Sequence, residues 1–92
     1  MTRESAESLA VEALAFLAAE PDRLGPFLAA TGIAPETIRA SAAEPGFLAG
    51  VLDHILADER LLLAFVDAAA IAPEAVGRAR ARLGRPYEPD IP

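Results

Sequence analysis

The chain has 92 residues, a formal net charge of −6, no cysteine and no lysine. Such a length makes one domain with one modest core, and the missing cysteine excludes disulfides, thiolate metal sites and cysteine nucleophiles. The acidic balance argues against broad attraction to nucleic acid or anionic lipid.

Proline and glycine punctuate the chain, and the apolar residues between them repeat at helical spacing. The first helix is expected from about Arg3 to Ala19, with Leu9, Ala13, Phe16 and Leu17 on one stripe. Pro21 suits the first turn of a second helix carrying Leu24, Phe27 and Leu28. Pro26 removes a backbone donor and disfavours a helical Gly25, so regular helix is expected only from Pro26 to Thr31. Gly32 sits where helices commonly end left-handed.

Pro35 opens a third helix, expected to about Ala43 and anchored by Ile38. Pro45 opens a fourth, with Phe47, Leu48, Val51, Leu52, Ile55 and Leu56 as its stripe. Asp58 is placed to cap a fifth helix ending near Ala69, and Pro73 opens a sixth ending near Leu83. The fold class is therefore all-α, a single helical domain over residues 1–84, followed by a Pro-rich extended tail over 85–92. Nothing alternates like a strand. The opening Met-Thr-Arg-Glu-Ser-Ala-Glu has no signal-peptide apolar stretch, and the run Leu61 to Val66 is too short for a bilayer, so a cytoplasmic location is expected.

A shift of 38 residues brings the two halves into register. Leu14 then falls on Leu52, Leu17 on Ile55, Leu24 on Leu62 and Phe27 on Phe65, and Ile33-Ala34-Pro35-Glu36 matches Ile71-Ala72-Pro73-Glu74 outright. Two pseudo-repeated three-helix units, about 7–42 and 45–83, are expected to share one core.

Positions that depart from the common pattern are the places to look for function. His54, the only histidine, stands where the other half has Phe16. With Asp58 four residues on it supplies two metal ligands at most, so a half-buried packed ring is the plainer expectation. Leu63 stands where the other half has Gly25, and it lies off the stripe of Leu62, Phe65, Val66 and Ala69. Coverage by the neighbouring unit is its plainer expectation, a dimer or partner surface the alternative. Arg78, Arg82 and Arg85 share the outer face of the sixth helix, with Arg80 at the core edge. Cations there suit the helix dipole and solubility, and they also offer an anion-contacting patch.

No catalytic constellation, cofactor loop or metal-ligand set is legible, and no catalytic, cofactor-binding or metal residue is assigned. The scattered candidates His54, Asp53, Asp58, Ser41 and Tyr87 do not cluster in sequence. The leading expectation is a non-enzymatic interaction module acting on an unknown protein partner or as a homodimer, through Leu63 or the face of Arg78, Arg82 and Arg85. The alternative is a helix-turn-helix-like DNA-binding or regulatory protein using Arg78, Arg82 and Arg85 of the second unit, the pattern itself being suggested by the Gly32 corner with Ile33 and Ile38 as its apolar anchors. The helix after that corner offers only Glu36, Thr37, Arg39 and Ser41 for phosphates and base edges.

The segments Ala-Leu-Ala-Phe-Leu-Ala at 13 to 18, Phe27-Leu28-Ala29-Ala30-Thr31-Gly32 and Phe47-Leu48-Ala49-Gly50-Val51-Leu52-Asp53, with Ala57-Asp58-Glu59 before the leucine run, carry a family likeness. In these the chain resembles a family of short bacterial proteins, common in alphaproteobacteria, known as domain of unknown function 3572. The Gly25-Pro26 pair departs from that pattern. The resemblance implies a small all-helical fold and brings no activity and no site residues with it.

Overall fold

The computed structural model describes residues 1–42 and 44–84. Among them are six α-helices and no strand: α1 (Arg3–Ala18), α2 (Pro21–Thr31), α3 (Ile38–Ser41, entered through a 3-10 turn, Pro35–Thr37), α4 (Pro45–Leu56), α5 (Glu59–Ala69) and α6 (Pro73–Leu83). None is long and apolar enough to cross a membrane. The Pro-rich tail and the two residues predicted there, Arg85 and Tyr87, lie outside the described residues.

Helices α1, α4 and α6 pack against one another and hold most of the core. The inner stripe of α1 is Ala6, Leu9, Ala10, Ala13, Leu14 and Leu17, that of α4 is Leu48, Ala49, Val51, Leu52 and Ile55, and α6 adds Val76, Ala79 and Leu83. Alanines at Ala10, Ala13, Ala49 and Ala79 let the backbones approach, as a core with few aromatics requires. Helix α2 lies against α1 and α5 against α4, while the buried Phe27 meets Phe47 and His54 of α4 and the buried Phe65 meets Phe16 of α1. Phe16 and Phe47, expected on the inner stripes, are half-buried at their edges, while Leu56 turns outward and is 36% exposed.

The helix ends follow local chemistry. Thr2 caps α1 by accepting from the Ser5 N–H at 3.0 Å, and Asp58 caps α5 by accepting from the Arg60 and Leu61 N–H groups at 3.0 and 3.3 Å. Gly32 closes α2 with φ 72° and ψ 11°, its N–H donating to the Leu28 carbonyl. Ala70 closes α5 in the same left-handed region, φ 58° and ψ 46°, without a glycine's freedom. There the Ile71 N–H reaches the Val66 carbonyl at 3.0 Å and the Ala70 N–H the Asp67 carbonyl at 3.3 Å, so two end carbonyls are satisfied.

Two expectations need correction. Helix α2 is regular from Pro21, with Pro26 inside it, instead of starting at Pro26. The missing N–H leaves one carbonyl, that of Asp22, without its usual donor, and Asp22 is exposed to water. Gly25 supplies no Cβ to clash with the proline ring, so the helical conformation is accessible before it. The third helix is also shorter than expected, ending at Ser41 and burying no residue, whereas α6 buries three. At the 38-residue offset Ser41 stands where α6 has the buried Ala79. The third helices of the two halves thus play different parts.

Candidate functional site

At about 100° per residue, the inward side of α5 takes Leu61, Leu62, Phe65, Val66 and Ala69. Leu63 therefore points away. It is 50% exposed, so the expected coverage by the neighbouring unit does not occur. On the same outward arc stand Arg60, Ala64 and Asp67, all exposed, with Arg60 and Asp67 at its centre. Beside Leu63 an open hollow runs along Ala64, Val66 and Asp67 to Ala70 and Ile71 at the helix end. Exposed leucine, hollow and left-handed Ala70 form one continuous surface.

Sequence reasoning found Leu63 and missed Arg60, Asp67 and Ile71. The signal was available in the spacing: 60, 63, 64 and 67 fall at i, i+3, i+4 and i+7, one helix face. Neither Arg60 nor Asp67 forms an ion pair among the described residues, whose three pairs are Arg3–Glu7, Arg23–Glu20 and Arg80–Asp53.

The arginine face is less continuous. Arg78 and Arg82 are exposed one turn apart on α6, beside Ala81 and Met1. Arg80 is held by the fold: its guanidinium donates to the Asp53 carboxylate at 2.5 Å and to the Gly84 carbonyl, tying α6 to α4. Arg85 lies outside the described residues.

The other polar candidates do not converge. The His54 ring is half-buried and meets Phe27 edge-on, centroids 5.2 Å apart. Asp53 is engaged with Arg80, and Asp58 with its helix cap. Among the described residues no three His, Cys, Asp or Glu side chains stand together to hold a metal ion, and no polar side chain is buried. Phe16 packs on Phe65 at 5.4 Å, under the Arg23 guanidinium at 4.0 Å. At the 38-residue offset these positions correspond to His54 and Phe27, so two aromatic contacts cross between the halves in the same way.

The Gly32 corner has the anchors of a helix-turn-helix, Ile33 and Ile38 both half-buried, but not its reading helix. A 3-10 turn and four α-helical residues are too short to lay a row of side chains along a major groove. Thr37 turns its hydroxyl back to donate to the Ala34 carbonyl. This corner gives the DNA-binding alternative no support.

Fold and surface together define a small all-helical protein whose most distinctive exposed feature is one helix face. The family model described as protein of unknown function (DUF3572) matches residues 3–86, and the chain belongs to that family. No curated protein and no solved structure matches it significantly.

Proposed function

We propose that the chain is a non-enzymatic, cytoplasmic protein-interaction module that meets its partner through the outward face of α5. The observation that carries this reading is Leu63, a large apolar side chain 50% exposed beside an open hollow. An exposed large apolar side chain flanked by charged groups is a common composition of a contact surface. The non-enzymatic part is supported by the scatter of the polar groups, since acid-base or nucleophilic chemistry needs them to converge. Two three-helix units on a shared core are the scaffold in this reading, supported by the crossed aromatic contacts and the matching extents of α2 and α5. Arg78 and Arg82 act at the edge, in solubility and dipole compensation.

The test is affinity capture from native cell extract with the wild-type chain and with Leu63→Glu. A protein retained by the wild type and lost by the variant supports the reading. Equal retention by both overturns the surface, and capture of nucleic acid in its place overturns the module.

A further inference from the structure

We infer that the outward face of α5 docks a second copy of this chain, antiparallel, about the midpoint between Leu63 and Ala64. The inference rests on α5 being a contact face, and what it adds is the occupant.

Helix α5 is self-complementary. In a twofold antiparallel pair centred between 63 and 64, Arg60 of each copy meets Asp67 of its mate along the middle of the arc, while Leu63 meets Leu63 on one side of the seam and Ala64 meets Ala64 on the other. Leucine packs on leucine along one side, the alanines let the helices approach on the other, and opposite charges close both ends. An isologous contact needs this pattern, because each residue must suit its own symmetry partner. A parallel pair would instead set Arg60 against Arg60 and Asp67 against Asp67.

The charges are also placed against the helix itself. Arg60 lies in the first turn of α5, where the cap Asp58 and Glu59 already meet the macrodipole, and Asp67 lies in the last turn, which holds no basic residue and where the macrodipole disfavours an anion. Neither has a compensating ion pair within the chain among the described residues. An antiparallel copy brings an arginine to the uncompensated C-terminal turn and pairs Arg60 with an aspartate at the N-terminal one. It also brings the outward Leu56, which precedes α5, to the same end as Ile71, which follows it.

One pair of 11-residue helices, each roughly 16 Å long, buries less than a standard interface of about 1,200 Å² or more, so the dimer is weak and concentration-dependent.

The experiment is analytical ultracentrifugation of the full chain up to about 1 mM, the range in which such weak dimers form, with circular dichroism to verify helical content. The expected result is a reversible monomer–dimer equilibrium. Leu63→Glu weakens it by about 100-fold, since two carboxylates enter the centre of the contact. Arg60→Asp and Asp67→Arg each weaken it by roughly ten-fold, converting two attractive pairs into repulsive ones. The double variant Arg60→Asp/Asp67→Arg restores it, because reversing both charges restores the complementarity. A chain that stays monomeric overturns the second copy, while capture of a different protein through Leu63 still leaves the α5 surface standing. A dimer indifferent to these substitutions, or a folded double variant that is not restored, overturns the antiparallel pairing.

Discussion

Helices α2 and α5 cover 11 residues each and begin 38 residues apart, Pro21–Thr31 and Glu59–Ala69. Their inward sides agree: Phe27 and Phe65 are both buried, and Leu24 and Leu62 are both half-buried against the core. Their outward sides do not. Where α5 carries Arg60, Leu63, Ala64 and Asp67, the matching positions of α2 carry Asp22, Gly25, Pro26 and Ala29. The core constrains one side of both helices in the same way and leaves the other side free. The row proposed to pair with a second copy belongs to α5, and the matching positions at the centre of α2 are a glycine-proline pair with nothing to interlock.

The agreement of the inner sides is the easier half to break. Phe27→Ala and Phe65→Ala should each lower stability by about 3–5 kcal/mol, the usual cost of emptying an aromatic core site, read by chemical denaturation. A large effect at one site with almost none at the other would show that the two helices do not share their role. On the outer side, Pro26→Ala should stabilise the chain by about 2 kcal/mol by restoring the donor to the Asp22 carbonyl. Gly25→Ala with Pro26 retained should destabilise it, because the new Cβ meets the proline ring.

The helix ends sharpen the contrast further. Ala70→Gly should stabilise by about 1 kcal/mol by relieving the left-handed alanine, and Gly32→Ala should destabilise by a similar amount. Thermal melts of the two variants check the opposite signs. Leu63→Glu, on an exposed face, should change stability by less than about 0.5 kcal/mol while altering association.

Much of this architecture was legible in the residues. Asp58 as a cap, the left-handed Gly32 and the spans of α5 and α6 follow from short-range chemistry, which one sequence carries in full. Helix α2 was misjudged because Pro26 was weighed without its context. One lost hydrogen bond is tolerable when the orphaned carbonyl faces water and the preceding residue has no Cβ. The third helix was overestimated because Ile38 is followed only by the half-buried Ala42 one turn on and by Pro45 two turns on, whereas Val76 is followed by the buried Ala79 and Leu83. The candidate surface was half legible. Leu63 stands out as a leucine off the stripe, but Arg60 and Asp67 look like ordinary surface charges until their helix ends are known.

The most direct test of α5 as the face that docks a second copy is a dilution series followed residue by residue in amide NMR spectra. The account predicts concentration-dependent shifts at Arg60, Leu63, Ala64 and Asp67, and none at Asp22, Gly25 and Ala29 on α2. Shifts centred on α2 or on Arg78 and Arg82, or no shifts up to the solubility of the chain, would contradict it.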